Sequence, residues 1–198
     1  MDIKNYRPIA LADTLTKLYT GLLTDCMMDY AEHHDILSTS QEGFRRAKET
    51  ARQFLMMQNV LSDAKLFGED IYLTYLEFSS AFNTIDHDKL PIIMHDLGFP
   101  VDCIEAVKNL DQDAETTFLL PCGETGPVKI ERGTIQGDSL SALLFLIFIE
   151  PLVRWLQSGR RGYRSQALQI DSLKISSLAY ADDLCATTNR SHNLRLQA

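Results

Sequence analysis

The chain has 198 residues and a net charge of −8, with 45% hydrophobic and 23% charged residues. This length allows one sizeable core or two small lobes, and the composition is ordinary for a soluble globular protein. The acidic balance argues against a nucleic-acid partner but does not exclude one, because basic residues cluster locally: Arg45, Arg46, Lys48 and Arg52 form one group, and Arg154, Arg160, Arg161 and Arg164 another.

The first half of the chain alternates helical patterns with polar and β-favouring segments. Apolar residues recur at helical spacing over residues 11–31 and again over residues 50–67. The polar segment between them, 38–48, is predicted to be a loop. Residues 71–78 are rich in aromatic and β-favouring side chains, which predicts a strand. Residues 86–97 again have the pattern of a helix, which Gly98 would end.

The second half is predicted to contain two more helices and several short strands. An acidic-faced helix is expected over residues 101–113. Residues 116–120 and 127–131 flank a Cys-Gly-Glu-Thr-Gly stretch, which is typical of a hairpin. A buried helix is predicted over residues 139–156, and short strands over residues 163–188.

The sequence favours neither a membrane protein nor a disulfide-stabilised protein. The longest apolar run, residues 140–149, is too short to cross a bilayer, so no membrane partner is expected. The N-terminus has no signal-peptide pattern. The scattered cysteines predict reduced thiols in an intracellular protein, and not a disulfide frame or a zinc site.

Three separated segments have side chains suited to phosphoryl chemistry. Glu77 stands near the end of the predicted strand 71–78, a glycine-punctuated loop at 133–141 opens a helix, and Asp182-Asp183 lies between two apolar stretches that predict a hairpin. Adjacent ionised carboxylates repel each other, so a fold that gathers them usually needs a cation, and Mg²⁺ prefers oxygen ligands. An isolated Asp-Asp pair is more often a solvated turn. Together with a third acid it can hold two divalent ions, and the glycine loop offers N–H groups to a phosphate or base.

Five stretches occur in a familiar order and spacing. They are Asn-Tyr-Arg-Pro-Ile (5–9), Ser-Gln-Glu-Gly-Phe-Arg (40–45), Leu-Glu-Phe-Ser-Ser-Ala-Phe-Asn-Thr-Ile-Asp-His-Asp (76–88), Gly-Thr-Ile-Gln-Gly-Asp-Ser-Leu-Ser (133–141) and Leu-Ala-Tyr-Ala-Asp-Asp-Leu (178–184). In these stretches the chain resembles the reverse transcriptase domain of a LINE-type (non-LTR) retrotransposon. Each motif alone is weak, but five in register indicate the family.

The resemblance implies an α+β fold of the right-hand polymerase type, with an antiparallel palm sheet packed on helices. Residues 1–70 would be the fingers, and residues 71–198 the palm with some finger elements. The thumb and the family's endonuclease domain would be missing from this chain. Because the family works on chromosomal DNA, the expected location is the nucleus or the cytoplasm.

The resemblance also assigns catalytic and metal-binding roles to Glu77, Asp182 and Asp183, which would hold Mg²⁺, with Mn²⁺ as a second candidate. Phe82 matches the aromatic residue under the incoming sugar, where a ring would clash with a 2′-hydroxyl and favour deoxynucleotides. Gln136 and Gly137 match the loop beside the nucleotide and template. Three basic residues are candidates to contact phosphates, with solvated surface charge as the equal alternative: Arg7, Lys17 and Arg45.

Two functions remain open at this level. The first is an RNA-directed DNA polymerase that adds deoxynucleotides to the 3′-hydroxyl of a DNA primer on an RNA template. The second is a catalytically impaired relic that only binds nucleic acid or acts as a scaffold. The second arises because Glu77 stands where the family has Asp, and Asn83 where it usually has a second Asp. Glutamate is longer by roughly 1.5 Å, and a misplacement of about 1 Å can cost on the order of 10²-fold in rate.

Overall fold

The computed structural model describes residues 11–134, 137–158, 162–165 and 174–189. The chain divides into two compact units, each assembled from two separate segments. The first unit contains residues 1–36 and 80–148, and the second contains residues 37–79 and 149–198. This division follows internal contacts and does not test the boundary between fingers and palm, which stays a prediction.

The helices of the first unit lie close to their predicted positions. Helix α1 spans Thr14–His33 and begins after Asp13, whose carboxylate accepts a 2.9 Å hydrogen bond from the backbone N–H of Thr16. Such a cap explains why the helix starts later than the apolar pattern. The next helices of this unit are α3 (Lys89–Leu97) and α4 (Val101–Asp111), and Gly98, which ends α3, lies in the left-handed region. A short 3₁₀ turn, Ala81–Thr84, precedes α3.

The leucine stripe over residues 11–22 predicted helix α1 correctly but does not mark its buried face. Four leucines of this stripe are between 60% and 78% exposed: Leu11, Leu15, Leu18 and Leu22. The buried residues of α1 are Thr20, Met27, Met28 and Ala31, which follow a helical spacing of their own. Periodicity therefore identified the element but not the side that packs.

The predicted hairpin of the first unit is confirmed in outline and corrected in detail. Strand β2 (Glu115–Thr116) pairs with β5 (Val128–Lys129), as expected. An inner pair lies between them, formed by β3 (Leu119–Leu120) and β4 (Gly123–Glu124). The segment predicted as a simple connection thus contains a strand, because Leu120 and Gly123 pair across a two-residue turn and Gly123 adopts the positive φ of 133° that other residues avoid.

The second unit is built on a three-stranded antiparallel sheet in the order β1-β9-β8. Its strands are β1 (Tyr72–Leu76), β8 (Ser177–Tyr180) and β9 (Asp183–Thr188), and a separate pair joins β6 (Tyr163–Arg164) to β7 (Lys174–Ile175). Helix α2 (Thr50–Phe67) ends at Gly68, as the sequence predicted. The predicted strand 71–78 is confirmed over the five residues of β1.

The central strand β9 is buried on both faces. Cys185 packs in a cluster with Val60 and Ala64 of α2 and with Tyr163. The neighbouring residue, Leu184, packs in a different cluster with Leu156. Alternation along a strand sends successive side chains to opposite faces, so a stretch of strand that packs against apolar clusters on both sides has no polar face. This is why residues 184–186 have no polar position.

Helix α5 (Ser139–Gln157) contains the longest apolar run of the chain. By length and composition it is the one helix among the described residues that could cross a membrane, but 61% of that stretch is buried inside the protein. Such burial is the ordinary condition of a core helix, which agrees with the predicted buried helix over residues 139–156.

Candidate active site

The backbone brings the three predicted acidic residues to one end of the β1-β9-β8 sheet. The last pair of the β1–β9 ladder is Leu76 with Leu184. Glu77 directly follows Leu76, and Asp183 directly precedes Leu184, so these two carboxylates occupy adjoining positions on neighbouring strands. Asp182 lies in the two-residue turn that joins β8 to β9, where Tyr180 pairs with Asp183. Neighbouring strands are about 4.8 Å apart, so the register places all three acids in the same neighbourhood.

The side chains at this sheet end are open to solvent and lack basic partners. Glu77 and Asp183 are exposed, and Asp182 is partly buried. Within the described residues, none of the three forms an ion pair. The same residues also contain no group of three Asp, Glu, His or Cys side chains placed to hold a metal ion. The backbone therefore gathers three oxygen donors whose chemistry suits Mg²⁺ or Mn²⁺, while their side chains do not converge on one point.

The turn at residues 180–183, called here the Asp-Asp turn, rests on a second segment of the same unit. Residues 38–45, called here the support segment, were predicted as a loop, and the structure confirms this apart from one bridge between Gln41 and Ala179. The N–H of Ala179 donates to the carbonyl of Ser40 at 2.9 Å, and the N–H of Glu42 donates to the carbonyl of Ala179 at 3.0 Å. The support segment thus runs alongside β8 as far as the turn.

Cys185 is the nearest thiol along β9, and it is not available as a metal ligand. Burial raises its pKa to about 11. A thiol must lose its proton to bind a metal, so Cys185 stays neutral and apolar near pH 7. The candidate metal ligand on this strand is therefore Asp183.

Phe82 lies in the first unit, on the 3₁₀ turn Ala81–Thr84. Its ring is partly buried and packs against Phe145 with the ring centroids 5.4 Å apart. The carbonyl of Phe82 accepts a 3.0 Å hydrogen bond from the N–H of Thr134. Phe82 is thus a fixed aromatic residue with part of its ring exposed.

The start of the glycine-punctuated loop is bound to the segment that contains Phe82. The N–H of Gly133 donates to the carbonyl of Ile85 at 2.8 Å, and the carbonyl of Gly133 lies 2.6 Å from Nε2 of His87. A Cβ atom on Gly133 would lie 2.7 Å from Cα of Asn83, so this approach requires glycine. His87 lies in one of the five sequence motifs, which predicted no role for it. The structure shows that it contacts this loop.

A pocket of about 120 Å³ lies in the first unit beside this loop. Its walls come from α1, α4 and the start of α5, and include Asp111 and Thr134. Burial raises the pKa of Asp111, and His87, whose Nε2 is 3.9 Å from the carboxylate, opposes that rise. The Oγ1 atom of Thr134 is buried without a hydrogen-bond partner. The wall also contains apolar side chains such as Leu110 and Leu144, so the pocket combines apolar surface with a few polar groups.

The remaining predicted residues are placed as follows. Lys17 is exposed on α1, and Gly137 is exposed with a φ of 108°. Arg45 uses Nη1 to donate to the carbonyls of Leu37, Ser38 and Gln41, so part of its guanidinium stabilises the support segment. Contact of these residues with phosphates or template stays a prediction. Four residues named above lie outside the described part of the chain: Arg7, Gln136, Arg160 and Arg161.

Comparison with known sequences gives a consistent family match. The family model described as reverse transcriptase (RNA-dependent DNA polymerase) matches residues 2–197. A retrovirus-related Pol polyprotein from the type-1 retrotransposable element R2 of Popillia japonica is 29% identical over 183 residues, which cover 91% of this chain and 24% of that protein. The transposon TX1 uncharacterized 149 kDa protein of Xenopus laevis is 23% identical, covering 92% and 14%. The chain spans about a quarter or less of these relatives.

Solved structures agree at the level of fold. Telomerase from Candida tropicalis, in complex with the TWJ fragment of telomeric RNA, superposes with a TM-score of 0.61 at 13% identity, covering 93% of this chain and 30% of that one. Apo telomerase from the same species gives a TM-score of 0.60 at 12% identity, covering 93% and 32%. The predicted α+β fold of the polymerase type is confirmed.

Proposed function

The chain belongs to the reverse transcriptase family, and we propose that it provides the fingers and palm for RNA-directed DNA synthesis by a retrotransposon protein. The observation that supports this most directly is the β1–β9 register, which sets Glu77 beside Asp183 although the two are far apart in sequence. Its substrates would be an RNA template, a DNA primer and deoxynucleoside triphosphates. In the reaction, the primer 3′-oxygen forms a bond to the α-phosphorus, and the bond to the departing pyrophosphate breaks.

Glu77, Asp182 and Asp183 would hold the divalent cations that this chemistry uses. Their carboxylates are accessible and have no basic partner among the described residues, so their mutual repulsion favours cation binding. When bound, two such ions stabilise both the attacking and the leaving oxygen of a displacement at phosphorus. The chain's own contribution is to keep three oxygen donors at one sheet end, next to a buried and therefore rigid strand.

Phe82 would select deoxynucleotides by occupying the space that a 2′-hydroxyl needs. Its ring is backed by Phe145, and its backbone is hydrogen-bonded to Thr134, so it cannot easily move aside. The adjoining loop would serve the nucleotide and template, with Gly137 offering an exposed backbone that has no side chain of its own. Gln136 of the same loop, and the basic residues Arg7, Lys17 and Arg45, are proposed to contact the nucleotide, the triphosphate or the template.

The proposal is tested by primer extension on an RNA template with Mg²⁺ or Mn²⁺. We expect Asp182→Ala to abolish whatever synthesis the chain performs. Glu77→Asp should raise the rate, by up to about 10²-fold, because it restores the shorter ligand. Asp102→Ala is a matched control, since Asp102 is an exposed aspartate in the first turn of α4.

A different result would indicate either a protein that only binds nucleic acid or a reaction that does not use these carboxylates. A relic that only binds nucleic acid would retain salt-sensitive RNA binding and be indifferent to Asp182→Ala. Synthesis that survives Asp182→Ala, or that falls when Glu77 becomes Asp, would show that these carboxylates do not act as proposed.

A further inference from the structure

We propose that Gln41 is a positioning residue for the Asp-Asp turn, and that it sets the affinity of this site for divalent cations; this rests on the proposed function. The Gln41 side chain is completely buried. Its Nε2 donates to the carbonyl of Ala181 at 3.1 Å, and its Oε1 accepts from the N–H of Ala181 at 2.9 Å. One side-chain amide therefore satisfies both peptide groups of the residue that precedes Asp182.

The orientation of the amide is fixed by its partners. Oε1 of Gln41 also accepts from the N–H of Gly43 at 2.9 Å. If the amide were reversed, its NH₂ group would face two N–H donors and its oxygen would face a carbonyl. The three hydrogen bonds are compatible with one arrangement only, so Gln41 holds the turn in a single geometry.

Ala181 needs such support because of its backbone conformation. Its φ is 56°, in the left-handed region that residues with a Cβ avoid. The next two residues are the paired aspartates, so the orientation of the Ala181 peptide determines where their carboxylates point. Without the Gln41 amide, Ala181 could relax towards a more favourable φ and would carry Asp182 with it.

Gln41 is itself anchored on its backbone side. Its carbonyl accepts from Nη1 of Arg45 at 2.9 Å, and its N–H donates to the carbonyl of Ser38 at 3.2 Å. The support segment is also paired with β8 through Ala179. Arg45 thus holds Gln41 in place, and Gln41 holds Ala181. Ala181 in turn positions the acidic residues that follow it.

A different glutamine in the same unit supplies a matched control. Nε2 of Gln53 donates to the carbonyls of Ser40 at 2.9 Å and Ala179 at 3.3 Å, so it contacts the support segment and β8. It makes no hydrogen bond to Ala181, and its own Oε1 is buried without a partner. Gln41→Met and Gln53→Met thus each remove one side-chain amide that contacts this part of the unit. Only Gln41→Met removes hydrogen bonds to the Asp-Asp turn.

The experiment measures Mn²⁺ binding to the 198-residue chain by EPR, alongside thermal unfolding. Gln41→Met is expected to weaken Mn²⁺ binding by about tenfold or more, the size of effect seen when the residues that orient metal ligands are removed. Gln53→Met should leave binding within about twofold of wild type. Adding Ala181→Gly to Gln41→Met should restore part of the affinity, because glycine adopts this φ without strain.

A second variant keeps the test decisive if Gln41→Met does not fold. Gln41→Glu retains the volume and the acceptor but loses the donor to the carbonyl of Ala181, and a several-fold loss of Mn²⁺ affinity is expected. If a folded Gln41 variant binds Mn²⁺ with wild-type affinity while Asp182→Ala loses Mn²⁺, the proposed role of Gln41 is wrong. The polymerase proposal would then remain intact. Mn²⁺ binding that ignores Asp182→Ala would instead remove the proposed metal site itself.

Discussion

Gly43 approaches the Asp-Asp turn so closely that adding one methyl group should disturb it. A Cβ atom at this position would lie 2.1 Å from the nitrogen of Ala181, 2.8 Å from its Cα and 2.9 Å from the carbonyl carbon of Tyr180. All three are backbone atoms, which cannot rotate away as the end of a side chain can. Gly43 does not have a positive φ, so alanine is excluded here by contact and not by backbone conformation.

The size of the effect follows from these distances. Ordinary contact begins at 3.4 Å, so the support segment and the turn must separate by about 1.3 Å at the tightest point. Overpacking of this kind usually costs about 1–3 kcal/mol. A displacement of about 1 Å at the aspartates would also reduce a reaction that depends on them, on the order of 10²-fold.

The assay is urea unfolding of Gly43→Ala, followed by Mn²⁺ titration of the folded variant. Gly126→Ala is the first control, because a Cβ there meets nothing within 4 Å. Gly21→Ala is the second, since Gly21 lies inside α1 in open space, and alanine there should stabilise by about 1 kcal/mol. A free energy of unfolding for Gly43→Ala within about 0.5 kcal/mol of wild type, with unchanged Mn²⁺ affinity, would refute the close approach.

Three further predictions concern burial, hydrogen bonding and sugar selection. Burial raises the pKa of Glu150 above its ordinary 4.5, so the stability due to its protonated form is complete below that value and is lost as pH rises through the folded pKa. Glu150→Gln does not titrate, so its urea stability relative to wild type should improve as the pH rises above 4.5; parallel pH curves would contradict this. Tyr163→Phe removes a 2.7 Å hydrogen bond to the buried Asp63 and should cost about 1–3 kcal/mol by the same assay, and a neutral result would contradict the bond. Phe82→Val should raise the incorporation of ribonucleotides relative to deoxynucleotides by about tenfold or more in primer extension, and an unchanged ratio would argue against sugar selection by this ring.

The elements that could be predicted from sequence are those whose signals are local. Helix α2 keeps its predicted bounds because its apolar period and its terminal Gly68, with a φ of 65°, are both encoded within a few residues. The inner strand pair of the hairpin was missed because two-residue strands contain too little pattern to identify. The buried face of α1 was missed because leucine spacing does not reveal which neighbours a helix will have.

The acidic site was predictable only in part. The Asp-Asp hairpin and the position of Glu77 near a strand end followed from alternating and β-favouring residues. Their proximity did not, because it depends on a ladder between β1 and β9, which are separated by residues 77–182. Only the order of the five motifs indicated that these acids belong together. The matches to the reverse transcriptase family and to retrotransposon proteins confirm the family resemblance, and the role of the acids stays a prediction.

The sequence around Gln41 did not predict that its side chain is buried. A glutamine in a polar stretch predicts a solvated loop, yet its amide is buried and bound to a residue far along the chain. A polar side chain can be buried when each of its groups finds a partner, and here the partners are the peptide groups of a strained turn. The neighbouring Gly43 was the better clue, because glycine allows another backbone to approach closely.

The two sides of the acidic site are supported unequally, and this bears on the unusual glutamate. Asp182 and Asp183 follow Ala181, whose peptide groups are both hydrogen-bonded to Gln41, so their backbone has little freedom to adjust. Glu77 follows the last paired residue of β1, is exposed, and has no hydrogen-bond or ionic partner among the described residues. The extra methylene can therefore be accommodated by rotation of the Glu77 side chain, at the expense of the rotational entropy lost when it binds a cation. Glu77→Asp should then improve the rate more than the affinity for Mn²⁺, whereas Gln41→Met should affect the affinity first. A change mainly in rate would therefore indicate that the longer Glu77 side chain misplaces its carboxylate. A change mainly in Mn²⁺ affinity would indicate that the Asp-Asp turn has moved.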